Sequence, residues 1–145
     1  MVPKTLKAIL VVEDCDDDFQ LLMRSVKAVG LSYPVTCVDT VERAICYLKG
    51  EGEFSDRQRY PMAFLVLLDM RLAREDGLDL LRWIRPQPDL WNVIVVVTTS
   101  VEDPALMERA YRLGANSFLV KPFGNEALNE MVKNLHHYWG TMNRT

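Results

Sequence analysis

Residues 62–69 read Met-Ala-Phe-Leu-Val-Leu-Leu-Asp, an uncharged run that follows Pro61 and ends abruptly in a carboxylate. An apolar run of this length, bounded in this way, is typical of a strand buried on both faces, as in a parallel sheet. Ligands of such sheets bind beyond the carboxyl ends of the strands. Asp69 is therefore predicted to lie at the functional edge of the sheet.

Other short apolar runs along the chain also predict strands: Leu6–Val12, Val35–Val38, Val93–Val97 and Ser117–Val120. Between them lie amphipathic stretches with helix start and stop signals. The starts are Asp16, Asp39 or Thr40, Asp76-Gly77, Asp103-Pro104 and Asn125, and the last stretch carries Leu128, Met131, Val132 and Leu135. The alternation predicts an α/β fold, a (βα)5 doubly wound parallel sheet.

Length and composition bound the function further. The chain has 145 residues, 49% of them hydrophobic and 26% charged, which predicts one globular domain over residues 1–145. A net charge of -3 argues against a nucleic-acid partner. The apolar runs fall far short of the ~20 residues of a membrane span. Three cysteines without a C-x-x-C pair indicate a reducing compartment, so we expect a cytoplasmic protein.

The segment 50–61, Gly-Glu-Gly-Glu-Phe-Ser-Asp-Arg-Gln-Arg-Tyr-Pro, is the one long polar connection in the chain. Segments of this kind are either functional loops or plain insertions, and the insertion is favoured here. Residues 140–145 are predicted to form a C-terminal tail.

Reactive side chains follow four of the five predicted strands: Glu13 and Asp14, Asp69, Thr98 or Thr99, and Lys121. Parallel strands place these ends along one edge. Carboxylates gathered there repel one another unless a cation joins them, and oxygen ligands favour Mg²⁺ or Mn²⁺. A hydroxyl and an ammonium group nearby suit a tetrahedral anion, so the pattern favours phosphoryl transfer onto Asp69.

These residues carry a resemblance that covers nearly the whole chain. The motifs, in chain order, are Val12-Glu13-Asp14, Leu68-Asp69 with Asp76-Gly77, Thr98-Thr99-Ser100, Gly114-Ala115 and Lys121-Pro122-Phe123. Together they resemble a response-regulator receiver domain of two-component signalling. That resemblance implies a flavodoxin-like fold with strand order 2-1-3-4-5.

The resemblance also implies roles for the acidic residues. Asp69 would be the phosphoacceptor and Asp14 a direct Mg²⁺ ligand. Glu13 would contribute through water, and the backbone carbonyl of Arg71 would complete the metal site. Arg71 stands where the family's side chain tunes the access of water, so we expect its charge to slow hydrolysis of the acyl phosphate.

The remaining family positions concern the phosphoryl group. Lys121 would bind it, and the Lys121–Pro122 bond would be cis. Thr99 lies 30 residues after Asp69 and 22 before Lys121, which is the family spacing of the switch hydroxyl. The local Thr-Thr-Ser pattern favours Thr98 instead. Phe118 matches the switch aromatic and is equally well explained as a core residue.

A narrower group, the stand-alone receivers paired with phytochrome-type histidine kinases, is resembled by the insertion Gly-Glu-Gly-Glu-Phe-Ser-Asp-Arg (50–57) and by the terminal Leu-His-His-Tyr-Trp (135–139) with Asn143. This implies a sensor kinase as phosphodonor and, as recipient of the signal, a target protein or a histidine phosphotransfer protein. Homodimerisation through the fourth and fifth helices and the tail is a further implication.

The chain departs from the family pattern at one position near the site. Family members often have proline four residues after the phosphoacceptor, where this chain has Ala73.

Two other functions compete with this interpretation. A haloacid-dehalogenase-like phosphatase also attacks from an aspartate at a strand end, but it usually needs a second acid two residues later, where this chain has Arg71. The stronger alternative is a receiver-fold interaction module that binds partners without being phosphorylated.

Overall fold

The computed structural model describes residues 7–30, 32–121, 126, 129–130, 132–134 and 137. Its central feature is a five-stranded parallel sheet. The strands in chain order are β1 (Ala8–Val12), β2 (Val35–Val38), β3 (Ala63–Asp69), β4 (Ile94–Thr99) and β5 (Ser117–Val120). They lie in the order 2-1-3-4-5, and all neighbouring pairs are parallel. The predicted fold class and strand order are confirmed.

The central strands are buried on both faces, as the uncharged run 62–68 predicts. Leu68 and its partner Val97 belong to the main hydrophobic core. Their neighbours Leu67 and Val96 point to the opposite side of the sheet and are buried as well. Because a strand in a parallel sheet is covered on both faces, side chains on both faces must be apolar. This explains why the run is continuously apolar and does not alternate between apolar and polar residues.

Four helices have described boundaries: α1 (Asp16–Val29), α2 (Val41–Lys49), α3 (Leu78–Ile84) and α4 (Pro104–Arg112). Their ends follow the predicted signals. The Thr40 hydroxyl caps α2 by accepting the Arg43 N–H at 3.1 Å, and the Asp103 carboxylate caps α4 by accepting the Ala105 N–H at 2.9 Å. Of the two predicted caps for α2, Asp39 and Thr40, the structure selects Thr40.

The chain separates into two compact units. The first contains the described residues up to Asp14 together with Tyr33–Val120, and so holds the whole sheet. The second contains Cys15–Ser32 and the described residues from Lys121 onward. The helix α1 belongs to this unit, and its residues Leu22 and Val26 are buried. That residues 1–145 form a single receiver domain remains a prediction.

The described positions after Lys121 that are helical fall within the predicted final helix: 126, 129–130, 132–134 and 137. Val132 is 3% exposed, in agreement with its predicted place on the apolar face. Other predictions lie outside the described residues: the cap Asn125, the apolar Leu128, Met131 and Leu135, the Lys121–Pro122 bond and the tail 140–145.

The polar segment 50–61 is packed against α2. It contains a single 3-10 turn, Gly52–Phe54, and Phe54 is only 2% exposed. The Phe54 ring centroid lies 5.0 Å from that of Tyr47 and 5.1 Å from that of Tyr60. Two isolated aromatic residues, Phe54 and Tyr60, give no periodic signal in a hydrophilic stretch, so the sequence pattern does not predict this aromatic cluster.

Candidate functional site

Three carboxylates meet where β1 and β3 end. Glu13 and Asp14 follow the last residue of β1, and Asp69 is the last residue of β3. The register pairs Val12 with Leu68, so the residues that follow each of them lie at the same level. One oxygen from each carboxylate lies within 4.8 Å of the others. The predicted convergence of these three residues is therefore present in the structure.

The cluster has the chemistry of a metal site. Glu13 and Asp69 are each 7% exposed, whereas Asp14 is exposed to solvent. Carboxylates held this close repel one another, and a cation between them relieves that repulsion. Oxygen donors alone suit a hard divalent cation. The three residues are thus suited to hold a metal ion, with Asp14 on the side open to solvent.

Backbone donors from the segment after β3 reach the cluster. An oxygen of Asp69 accepts the Arg71 N–H at 3.0 Å. An oxygen of Asp14 accepts the Ala73 N–H. The segment beyond Asp69 therefore folds back over the carboxylates, and Arg71 lies next to them with an exposed side chain. That its carbonyl completes a metal site stays a prediction.

Both candidate switch hydroxyls lie at the carboxyl end of β4. Thr98 is the register partner of Asp69, and its carbonyl accepts the Met70 N–H at 2.9 Å. Thr99 ends the strand, is 1% exposed, and its hydroxyl accepts the Val101 N–H at 3.3 Å. Each threonine is thus within the sheet edge that carries Asp69, and the choice of Thr99 over Thr98 stays a prediction.

Two further predicted residues lie on or beside β5. Phe118 is 7% exposed and belongs to the main hydrophobic core, in agreement with the core interpretation of this residue. Lys121 directly follows the strand in sequence and lies in the second unit, where its ammonium group is 2.9 Å from the Asp18 carboxylate on α1. This ion pair is not predictable from the sequence, because an acidic residue in the first turn of a helix is already explained by the helix dipole.

A half-buried thiol lies next to the carboxylate cluster. The Cys37 sulfur donates to the Glu13 carbonyl at 3.6 Å. Burial raises the pKa of Cys37 to about 11, and the negative charges of Glu13 and Asp39 act in the same direction. The thiol is therefore protonated at neutral pH, which agrees with a structural cysteine.

One structural element beside the site is not predictable from the sequence pattern. Arg71–Leu72 and Glu75–Asp76 form two short antiparallel strands, which we call the 71–76 hairpin. Strands of two residues are too short for any periodic pattern. The sequence offered one clue to the hairpin. Position 73 is alanine, which has a backbone N–H to donate, whereas a proline at this position would have none.

Comparison with known proteins adds the deciding observation. Residues 9–133 match the family of response regulator receiver domains. The chain belongs to this family. Receiver domains are phosphoacceptor signalling modules of two-component systems. The match covers β1 from its second residue, the other four strands and the carboxylate cluster.

Individual relatives are similar over nearly their whole length. Response regulator Rcp1 of Synechocystis is 29% identical over 133 residues, which cover 92% of this chain and 88% of Rcp1. The structure of the Mn²⁺-bound form of Rcp1 superposes with a TM-score of 0.78 at 29% identity, covering 92% of this chain and 94% of Rcp1.

Two further solved structures are similar. Response regulator RPA3017, from red light signalling of R. palustris, has a TM-score of 0.88 at 30% identity and covers 97% of this chain and 96% of its own. The phosphorylated cyanobacterial phytochrome response regulator RcpA has a TM-score of 0.83 at 27% identity, covering 95% of this chain and 96% of RcpA.

Among the described helices of this receiver, none is long and apolar enough to cross a membrane.

Proposed function

We propose that this receiver accepts a phosphoryl group on Asp69 in a Mg²⁺-dependent reaction and signals through altered protein binding. The observation that carries this proposal is the carboxylate cluster, in which oxygens of Glu13, Asp14 and Asp69 lie within 4.8 Å of one another. Asp14 and Asp69 would hold the cation directly, Glu13 through water, and the Arg71 carbonyl would complete the ligand set. The Mn²⁺-bound form of the relative Rcp1 supports a divalent ion in the family site.

The chemical step is the transfer of a phosphoryl group from a histidine nitrogen of the kinase to a carboxylate oxygen of Asp69. An Asp69 carboxylate oxygen forms the new O–P bond while the P–N bond to the histidine of a kinase breaks. The released imidazole nitrogen takes up a proton. A bound divalent cation would supply positive charge to the phosphoryl oxygens. The Asp69 carboxylate is held in place by the Arg71 N–H, which donates to one of its oxygens.

The transferred group brings about -1.5 to -2 charges into the site. Thr99 would donate its hydroxyl to one phosphoryl oxygen, and Lys121 would pair with another, giving up or sharing its contact with Asp18. Phe118 would respond from the adjacent strand β5 to the movement of Thr99. These contacts favour one of two arrangements of the domain, which is the switch that partners read.

The names of the relatives indicate the kind of partner. RPA3017 belongs to red light signalling, and RcpA is a phytochrome response regulator. By this similarity, a sensor histidine kinase of phytochrome type is the phosphodonor of the present chain. The signal would pass to a target protein or, by a second phosphoryl transfer, to a histidine phosphotransfer protein. Homodimerisation of this chain is likewise a prediction from the family.

Intact-mass measurement after incubation with acetyl phosphate tests the proposal. The parent chain and Asp69→Asn are compared with Mg²⁺ and with EDTA. We expect a gain of one phosphoryl group in the parent with Mg²⁺ only, and none in Asp69→Asn.

The matched control is Asp89→Asn, which removes one exposed carboxylate remote from β3 in sequence and should be phosphorylated like the parent. Phosphorylation of Asp69→Asn would contradict the assignment of the phosphoacceptor. An unmodified parent under every condition would favour the interaction module that works without phosphorylation.

A further inference from the structure

The two ends of the 71–76 hairpin are joined by a backbone hydrogen bond just beyond the end of β3. The Gly77 N–H donates to the Met70 carbonyl at 3.0 Å, which closes the base of the hairpin. A Cβ atom at Gly77 would lie 2.1 Å from the Asp69 carbonyl oxygen. Only glycine permits this approach. The hairpin is therefore tied at its base to the residue that we assign as phosphoacceptor.

The tip and the returning strand of the hairpin are anchored to three other parts of the first unit. At the tip, the Ala73 N–H donates to Asp14. On the returning strand, the Glu75 carboxylate accepts the first backbone N–H of α2 at 2.7 Å. The neighbouring Asp76 pairs with Arg109 of α4 at 3.0 Å. These contacts place the hairpin between α2 and α4 with its tip on the carboxylate cluster.

The hydrogen bond at the tip involves one of the two oxygens of Asp14. Oδ2 accepts the Ala73 N–H, and a carboxylate has lone pairs enough to accept this bond and still coordinate a cation. Carboxylate ligands of metal ions are commonly held in place by such outer hydrogen bonds. Proline, which is frequent at this position in the family, has no N–H and cannot make this contact.

Glu75 is well placed to hold the donor. Its partner is the N–H of Val41, one of the backbone groups that the first turn of a helix leaves without an intrahelical acceptor. A negative charge at this end of α2 is also favoured by the helix dipole. Because Thr40 satisfies a different N–H, that of Arg43, the two caps do not compete.

We propose that the Ala73 N–H orients Asp14 for metal binding, and that Glu75 is the positioning residue that keeps Ala73 in place. Glu75 acts through the backbone of the hairpin. The inference rests on the proposed metal site and adds to it a control of affinity that depends on α2.

Calorimetric Mg²⁺ titration of Glu75→Ala and Glu75→Gln tests this inference. We expect the dissociation constant of Glu75→Ala to rise roughly three- to tenfold, less than the roughly 10- to 100-fold that loss of an outer-shell partner costs, because Glu75 acts through the hairpin backbone. Glu75→Gln should recover most of the affinity, because an amide oxygen accepts the same N–H without the charge. The control Glu51→Ala removes an exposed carboxylate that pairs with Lys49 and should bind Mg²⁺ like the parent.

A second readout needs no metal. Hydrogen exchange at the Ala73 amide of the metal-free chain should be faster in Glu75→Ala than in the parent and unchanged in Glu51→Ala. Equal Mg²⁺ affinity of Glu75→Ala and the parent would overturn the inference. A Glu75→Gln variant as weak as Glu75→Ala would also overturn it, because the charge of Glu75 and not its hydrogen bond would then control affinity.

A pair of substitutions at the donor itself completes the test. Ala73→Pro removes the N–H and should weaken Mg²⁺ binding, whereas Ala73→Ser keeps it and should not. Equal binding by the two variants would overturn the inference, and if Ala73→Pro does not fold, the Glu75 variants decide. A parent chain that binds no Mg²⁺ would instead refute the proposed metal site, and this inference with it.

Discussion

The carboxylate cluster at the ends of β1 and β3 gathers side chains that repel one another, whereas the 50–61 segment gathers side chains that attract. Glu13, Asp14 and Asp69 are held together by the register of two strands. Phe54, by contrast, is held by contact with Tyr47 and Tyr60. The comparison indicates that the close carboxylates of the cluster cost stability, whereas the aromatic contacts of the segment add stability.

The arginines of the two regions differ in the same way. Arg57 of the segment lies 5.6 Å from the centroid of the Tyr47 ring and donates to the Leu48 carbonyl at 3.1 Å. Arg71 beside the cluster has an exposed side chain, and its backbone N–H serves Asp69. Arg57 therefore links the segment to α2, whereas the charged side chain of Arg71 remains exposed beside the carboxylate cluster. Substitutions in the two regions should therefore separate stability from metal binding.

The largest expected effect comes from Phe54→Ala. Removing a ring that is 2% exposed should lower the free energy of unfolding by about 3 kcal/mol. The Mg²⁺ dissociation constant of the folded variant should match that of the parent. Urea unfolding and calorimetric titration measure the two quantities, with Phe54→Leu as the milder control. A large loss of Mg²⁺ affinity in folded Phe54→Ala would show that the segment does take part in the site.

Addition and removal of Mg²⁺ should have the next largest effect. At a Mg²⁺ concentration ten times the dissociation constant, binding should stabilise the parent by about 1.4 kcal/mol, and EDTA should reverse it. Phe54→Ala should show the same increment from its lower starting point. Thermal unfolding with and without Mg²⁺ measures it, and an Asp14→Asn variant that kept the increment would argue against Asp14 as a ligand.

Tyr47 offers a pH test of the aromatic region. Its hydroxyl donates to the Pro61 carbonyl at 2.6 Å, and burial raises its pKa above the ordinary value of 10.0. Because the folded pKa is the higher one, the stabilisation is complete below pH 10 and is lost as the pH rises through the folded pKa. Tyr47→Phe should lower the free energy of unfolding by about 1 kcal/mol at neutral pH.

Unfolding titrations of the parent and Tyr47→Phe between pH 8 and 12 check the sign of this effect. The difference between the two proteins should shrink at the alkaline end. A difference that grows with pH would contradict the direction of the Tyr47 shift.

The smallest effect is a gain in stability from Asp14→Asn. Relief of repulsion among the carboxylates should raise the free energy of unfolding of the metal-free chain by about 0.5 kcal/mol. The asparagine carbonyl still accepts the Ala73 N–H, so the hairpin contact is retained. Asp89→Asn, an exposed acid elsewhere, should change stability less. A destabilised Asp14→Asn would show that the cluster is not under repulsion.

Much of the fold was predictable because its signals are local. Gly30 and Gly50 adopt positive φ angles of 81° and 69° at the ends of α1 and α2, as helix-ending glycines do. Asp103 caps α4 one residue before Pro104. Such signals act within one turn of chain and can be recognised without knowledge of the partners of a segment. The convergence of the three carboxylates was predictable as well. Each follows or ends a predicted strand, and the carboxyl ends of parallel strands lie along one edge of the sheet.

The contacts that escaped prediction join residues far apart in the chain. Ala73 and Asp14 are separated by 59 positions, and Glu75 caps a helix 34 positions earlier. Each donor or acceptor looks like an ordinary surface residue in the sequence. Phe54 likewise has no apolar residue next to it in the chain, and its partners Tyr47 and Tyr60 come from α2 and from the end of the 50–61 segment.

The α/β alternation and the edge at which Glu13, Asp14 and Asp69 meet were predictable from the amino-acid sequence. Apolar periodicity, capping residues and the direction of parallel strands suffice for these two features, and the family resemblance added the strand order. The positions of Ala73 and Glu75 between the carboxylates and α2, and the burial of Phe54, depend on tertiary packing. Hydrogen bonds and van der Waals contacts depend on ångström-scale distances between chain segments, and those distances exist only once the whole sheet and its helices have packed.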